Sequence, residues 1–376
     1  MPHTVVIAPD SFKGSIPAAA AAAALSAGWH DERPDDEIRL LPMADGGEGT
    51  LDAFAAAVPG AVRMAVAVTG PEGTPVEASW LLLPPTPDAP AGTGVVELAS
   101  TSGIELLGTP PRLRALDADT RGFGETVAAA LAHGVSRLVL GIGSSASTDG
   151  GVGMLRALGA TFIGADGEPI APGGRGLDRV VAADLGGLPP LPAGGVQVLS
   201  DVTNPLLGRR GAAAVFGPQK GATEADVERL DAGLARFAAV VGADRADPAT
   251  PGAGAAGGTG FGLLAWGAAL VPGSTAVAEL IGLRGAVADA SVAVTGEGSF
   301  DGQSAAGKVP AHVAALAAEA GVPVGLVAGR IADDADVSAF GATASLTALS
   351  GSSDAAMGEP ARWLRAAGAA LARELG

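Results

Sequence analysis

Four times along this chain a short β-branched run gives way to a polar, glycine-rich loop and then to a helical stretch. Residues 4–8 read as a strand, 9–15 as a loop and 17–29 as an alanine-rich helix, with Ser15 and Pro17 near its start. The unit recurs as strand 38–41, loop PMADGGEG and helix 50–57. It recurs again as strand 137–142, loop GSSASTDGG and helix 152–158, and as strand 291–295, loop GEGSFDGQSAAGK and helix 310–320. Two more strands, 324–327 and 345–349, and a last helix over about 359–374 follow. Alternating strands and helices predict a parallel sheet with helices on both faces. Each polar loop then leaves the carboxyl end of its strand, the edge of such a sheet where ligands bind, so the loops are expected to meet at one cleft.

The rest of the chain has another rhythm. Residues 64–69, 76–83 and 95–98 read as successive strands, with Gly70-Pro71-Glu72-Gly73 as a hairpin connection. Strands and Pro/Gly-rich turns continue over 159–215. These features predict an α/β protein of two domains with a cleft between them. A doubly wound parallel-sheet domain is built from 1–60, 116–158 and 285–376. An α+β domain is inserted into it from 61–115 and 159–284.

Composition narrows the function. Twenty-three Lys and Arg against 40 Asp and Glu leave a net charge of −17, which argues against nucleic acid and anionic membrane as main partners. A small anionic ligand is still allowed, because a local site holds it. The chain has no Cys, which removes disulfides, zinc-thiolate sites and Cys nucleophiles. The 58 glycines and 27 prolines follow no collagen-like period, so they serve turns and loops of a packed protein. The uncharged stretch 251–278 is strongly apolar only over 261–271 and stops at Pro272, too short to span a bilayer. No basic segment followed by a long apolar stretch opens the sequence, so a cytoplasmic enzyme is expected.

The loops share Asp, Ser, Thr, Gly and Lys: APDSFKGS, LPMADGGEGT, GIGSSASTDGGVGM and VTGEGSFDGQSAAGKVP, joined by LSDVTNPLLG and VFGPQKGA. That composition suits phosphate chemistry. Glycines let backbone N–H groups approach oxyanions, lysines neutralise phosphate, and carboxylates bind Mg²⁺ or accept a hydroxyl proton. Lys13, Lys220 and Lys308 are the three lysines in a chain that otherwise uses arginine, and each adjoins a glycine of a loop. Gly302 to Lys308 fits G-x-x-x-x-G-K, but Val309 replaces the Ser/Thr of a P-loop and the strand ends too early, so a Walker A loop is rejected. Gly141, Gly143 and Ala146 after a strand, with Asp166 downstream, form a weak dinucleotide fingerprint; a nicotinamide-dependent oxidoreductase acting on a small hydroxy acid is the alternative reading. His3, His30, His133 and His312 lie outside the loops, and neither a G-x-S-x-G elbow nor a protein-kinase H-R-D or D-F-G set occurs.

At these residues the chain resembles the bacterial glycerate kinase family, which phosphorylates D-glycerate with ATP. The resemblance runs nearly end to end, through APDSFKGS, MADGGEGT, GSSASTDGG with the following GMLRALGA, DVTNPLLG, FGPQKGA and GEGSFDGQSAAGK. It implies a Rossmann/flavodoxin-like domain with a second α/β domain, and ATP, Mg²⁺ and D-glycerate as small-molecule partners. The product it points to is 2-phosphoglycerate, although the residues decide nothing between C2 and C3.

Roles follow from the chemistry of in-line phosphoryl transfer. Asp45 or Asp201 deprotonates the substrate hydroxyl, and Lys13 and Lys308 neutralise phosphate oxygens. Glu297 and Asp301 are candidate Mg²⁺ ligands. Asp10, Ser11, Gly46, Gly47, Glu48, Gly143, Ser144, Ser145, Thr148, Asp149, Asn204 and Lys220 are candidates for binding substrate or phosphate.

Overall fold

The computed structural model describes residues 3–302 and 309–376. Its strands, in chain order, are β1 (Thr4–Pro9), β2 (Glu37–Leu40), β3 (Val62–Thr69), β4 (Pro75–Leu83), β5 (Thr93–Glu97), β6 (Arg137–Gly141) and β7 (Thr161–Gly164). They continue with β8 (Val180–Asp184), β9 (Val196–Leu199), β10 (Ala269–Val271), β11 (Val292–Phe300), β12 (Val324–Ile331) and β13 (Ala342–Ser345). Two compact units divide the chain. Unit 1 holds Met1–Asp45, Asp52–Pro59 and Ser274–Gly376; unit 2 holds Gly46–Leu51 and Gly60–Gly273.

Unit 1 is a five-stranded sheet of order β13-β12-β11-β1-β2, and every neighbouring pair is parallel. Its central strands are buried, as expected of a sheet covered on both faces. Val5, Ile7, Val292, Val294 and Val327 pack with Leu25, Trp29, Leu364 and Leu371 from two helices, Ala18–Glu32 and Pro360–Leu375. Those helices meet at glycines. A Cβ on Gly28 would lie 1.8 Å from Arg365 O, and one on Gly368 would lie 2.2 Å from Leu25 O.

One buried carboxylate ties the helix to the sheet start. Asp36 accepts from Trp29 Nε1 (2.9 Å), Arg33 Nε (2.8 Å) and His3 N (2.8 Å). Burial pushes its carboxyl up, but these hydrogen bonds and the Arg33 charge outweigh burial and hold it at about 2. The resulting stability is full above the ordinary value of 3.8 and is lost as the pH falls toward about 2. Asp36→Ala strands a buried indole N–H and is expected to cost about 2–4 kcal/mol at neutral pH, read as a lowered urea midpoint.

Unit 2 is a mixed six-stranded sheet of order β10-β9-β6-β5-β4-β3. The β3–β4 and β4–β5 pairs are antiparallel; β5–β6, β6–β9 and β9–β10 are parallel. The expected turn joins β3 to β4, closed by Gly70 N to Thr74 O at 2.7 Å. β7 and β8, which lie between β6 and β9 in the chain, form a separate antiparallel pair. The core holds Phe123, Leu138, Leu140, Leu155, Phe162, Phe237 and Phe261. Phe237 makes edge-on ring contacts to Phe162 and Phe261.

Three expectations change. The segment 116–158, expected in the first sheet, supplies β6 to the sheet of unit 2, where Val95 and Gln197 flank Val139. A strand–loop–helix unit does not encode which strands it will pair with. β11 runs on through Gly296-Glu297-Gly298, read as loop, because Ser299 and Phe300 pair with Arg330 and Ile331 of β12. Residues 345–349 were expected as a strand; β13 ends at Ser345, whose side chain caps the helix Leu346–Ser350 by accepting from Ala348 N.

Candidate active site

In unit 1 three adjacent strands deliver charged groups to the carboxyl edge of the sheet. Asp10 follows β1, held by its N–H to Gly296 O (2.8 Å), and its Oδ1 accepts from Ser11 N (2.6 Å). The turn beyond it is closed by a bridge between Phe12 and Ile16 and presents Lys13, 78% exposed. The chain leaving β2 stays beside β1, with Leu41 N to Ile7 O and Met43 N to Pro9 O both at 2.9 Å, and so reaches Asp45. Lys13 Nζ donates to Asp45 Oδ2 at 3.2 Å. The register Pro9 to Gly296 sets the buried Glu297 of β11 alongside, with half-buried Asp301 just past that strand.

These groups act on one another. Burial, then the Asp45 charge and more weakly that of Glu297, push the Asp10 carboxyl up to about 7, against opposing effects of Ser11 N–H and Lys13. Asp45 likewise holds the Lys13 ammonium above its usual value. Because Asp10 has a higher pKa folded than unfolded, its contribution to stability is full below 3.8 and is lost as the pH rises through about 7. Asp10→Asn removes this dependence. Metal-free protein carrying it is expected to melt about 2–4 °C or more above the wild type at pH 8 and to converge with it near pH 4, a comparison for scanning calorimetry.

In unit 2 the motif glycines bring backbones together. Gly143 N donates to Gly46 O at 2.9 Å. Added Cβ atoms on Gly141, Gly143 and Gly46 would lie 2.8 Å from Gly46 O, 2.5 Å from Gly47 Cα and 2.5 Å from Leu199 O. The Gly143 amide is therefore spent inside the fold and is not offered to an oxyanion. Beside this crossing, Thr50 Oγ1 donates to Gly47 O (2.7 Å) and Leu51 N to the buried Glu97 (3.0 Å). Glu48 is exposed, and burial together with the charge and hydrogen bond of Glu105 raises its carboxyl.

The loop after β6 is held from below. Ser144 is exposed and adopts φ 56°. Ser145 is 7% exposed, and Thr148 and Asp149 are buried. Asp149 accepts from Thr120 Oγ1 (2.7 Å) and from the N–H groups of Thr120, Gly151 and Gly153 (each 3.1 Å). Its carboxylate is thus engaged by the fold. Lys220 is buried and donates to Ser145 Oγ (2.7 Å) and Ser147 O (2.5 Å). Burial pulls its ammonium down to about 7, against the Asp149 charge.

Asp201 is exposed and accepts from Gly273 N (2.8 Å); Asn204 donates to Arg210 O (2.8 Å). Lys308 lies outside the described residues. The structure adds Glu97, Glu105, Asp119 and Thr120, which the sequence did not single out, as neighbours of the candidate residues. Glu97 had a visible signal, a lone carboxylate ending an apolar strand, whereas Thr120 is linked to Asp149 only through the fold.

The dinucleotide expectation has no counterpart here. Asp166 lies just after β7 of the antiparallel pair, and its carboxylate pairs with Arg179 at 3.4 Å. In a dinucleotide site the ribose acid ends a strand of the parallel sheet.

The model of the glycerate kinase family matches residues 5–376. The chain belongs to the glycerate kinase family. It is 42% identical over 339 residues to the glycerate 2-kinase of Escherichia coli (strain K12), covering 89% of this chain and 87% of the relative. It is 42% identical over 341 residues to a glycerate kinase of Bacillus subtilis (strain 168), covering 88% and 86%. A solved structure described as glycerate kinase 2 from Salmonella typhimurium LT2 superposes with TM-score 0.84 at 38% identity, covering 99% of this chain and 98% of the other. Membership makes the chain a kinase, and so a phosphotransferase. Among the described residues, no helix is long and apolar enough to cross a membrane.

Proposed function

We propose that this kinase transfers the γ-phosphoryl group of ATP to the C2 hydroxyl of D-glycerate, with Mg²⁺, giving 2-phosphoglycerate and ADP. The observation that carries the reading is the group Asp10, Lys13, Asp45 and Glu297 at one sheet edge of a glycerate kinase family member. The choice of C2 is supported by the relative named glycerate 2-kinase.

The donor set of unit 1 fits a magnesium ion. The oxygens it offers are hard carboxylates, and their repulsion, which adds to burial in raising the Asp10 carboxyl, is what a divalent cation would relieve. Among the described residues no three or more His, Cys, Asp or Glu side chains are arranged to cage a metal. Mg²⁺ shared with phosphate oxygens needs only one or two carboxylates. Asp10 and Glu297, with Asp301 nearby, would hold it, and it would supply charge neutralisation for the phosphates.

The chain's own residues do the rest. Asp45 accepts the proton of the glycerate hydroxyl as that oxygen bonds to the γ-phosphorus and the bond to the ADP oxygen breaks. Lys13 and Lys308 neutralise phosphate oxygens. In unit 2, the Ser144 and Ser145 hydroxyls are the groups proposed to recognise the acid substrate. Asp149 and Gly143, spent within the fold, shape that loop. The test is ADP release coupled to a dehydrogenase, with the product read by phosphorus NMR. Release that requires D-glycerate and Mg²⁺, with a 2-phosphoglycerate resonance, is expected. A 3-phosphoglycerate resonance overturns the regiochemistry, and no glycerate-dependent release overturns the substrate.

A further inference from the structure

Burying a lysine is costly, and Lys220 is only 3% exposed. It sits in the turn Pro218–Lys220, and its ammonium touches the loop after β6 at two points, Ser145 Oγ (2.7 Å) and Ser147 O (2.5 Å). That loop is poorly held by its own side chains, since Ser147 Oγ and Thr148 Oγ1 are buried without a hydrogen-bond partner. Lys220 and Asp149 anchor it instead. The bond to Ser145 has a direction. An ammonium has only donors, so Ser145 Oγ must accept, and its own hydrogen is turned away from Lys220. Ser145 is 7% exposed, and its neighbour Ser144 is exposed.

We propose that Lys220 is a positioning residue for substrate recognition: by donating to Ser145 Oγ it aims the Ser145 hydroxyl hydrogen at the carboxylate of the acid substrate. The proposal rests on the reading that this loop binds the acid. It replaces the expectation that Lys220 itself meets a phosphate, which its burial opposes. Arginine, the chain's usual cation, would not serve, because its planar fork is larger than the compact ammonium that is buried here.

A neutral amine can accept, so deprotonation of Lys220 lets Ser145 turn its hydrogen inward and lose the substrate. Two charged groups matter here. Asp149 favours the ammonium, and Asp119, pushed up to about 6 by burial and then by Asp149, titrates behind it.

The experiment is steady-state kinetics of the full chain with D-glycerate, ATP and Mg²⁺ from pH 6 to 8.5, for wild type, Ser145→Ala, Lys220→Met and the double variant. Loss of a hydrogen bond to a charged group predicts that Ser145→Ala raises KM for D-glycerate about 10- to 100-fold with kcat little changed. Lys220→Met is expected to match it, and the double variant to be no worse than either single one. Wild-type KM should rise through about pH 7, the range where Lys220 titrates, and this rise should shrink in Ser145→Ala to what Asp10 and Asp119, which that variant keeps, contribute. If Lys220→Met does not fold, the Ser145→Ala profile decides alone. Multiplying effects in the double variant, an inflection undiminished in Ser145→Ala, or an unchanged KM in Ser145→Ala each overturn the proposal while leaving glycerate kinase activity standing. A wild type without glycerate-dependent turnover overturns the reading of the site, and this proposal with it.

Discussion

Asp45→Asn is expected to lower kcat for glycerate phosphorylation by about 10²–10⁴-fold, the usual loss when a placed general base is removed. The asparagine is nearly isosteric and can still accept from Lys13 Nζ, now 3.2 Å from the carboxylate, so the fold should persist and KM should move far less than kcat. Asp201→Asn is the matched comparison. That carboxylate is exposed and accepts from Gly273 N, a bond an amide oxygen can keep. Its kcat is expected within about 3-fold of wild type, well short of the loss for a general base. Equal losses at both positions would return the base assignment to the two-way choice the sequence left open. An unimpaired Asp45→Asn would remove Asp45 from the role altogether.

The second large effect is on stability. Gly46→Ala forces a side chain into a left-handed backbone at φ 92° and sets its Cβ 2.5 Å from Leu199 O and 2.6 Å from Leu199 Cβ. The backbone conformation costs about 1–2 kcal/mol and the overlap about 1–3 kcal/mol more. A total of about 2–5 kcal/mol should appear as a lower denaturant midpoint for the transition of unit 2. Gly49→Ala separates the two causes, for its φ of 84° is similar but nothing lies within 4 Å of the added Cβ. It should show only the conformational part. Similar midpoints for the two variants would mean that the crossing of residues 46, 143 and 199 is not tight.

These contrasts show what the chain discloses before it is folded. Local patterns were readable: the helix expected over 50–57 is Thr50–Ala57, and the strand expected from 4 spans Thr4–Pro9. Apolar alternation and caps act over a few residues, and so does the reading of them. Pairing is a non-local property, which is why the sheet expected for 116–158 and the sheet observed differ. The motif glycines illustrate the same limit. Their conformational freedom was legible, but a glycine that lets a phosphate approach and one that lets Leu199 approach look alike in sequence. Lys220 looked like any loop lysine beside a glycine. Its burial follows from the way the turn after the helix Ala212–Phe216 lies against Ser145 and Ser147, more than 70 residues earlier. Asp10, Lys13, Asp45 and Glu297 could be grouped in advance at one sheet edge because parallel strands end together, a rule that converts sequence order into proximity.

The interrupted layout of unit 1 sets a timetable for biosynthesis. β1 lies between β2 and β11, and Thr295 Oγ1 donates to Ala8 O across 287 positions of chain. At about 5–20 residues per second, a nascent β1 waits roughly 15–60 s for that neighbour. Unit 2, whose last residue is Gly273, leaves the ribosome complete while one edge of β1 is still unpaired. The amino-terminal strands are therefore the part of this kinase that chaperones would be called on to guard, and a truncation that stops before β11 should yield a folded unit 2 trailing an insoluble head.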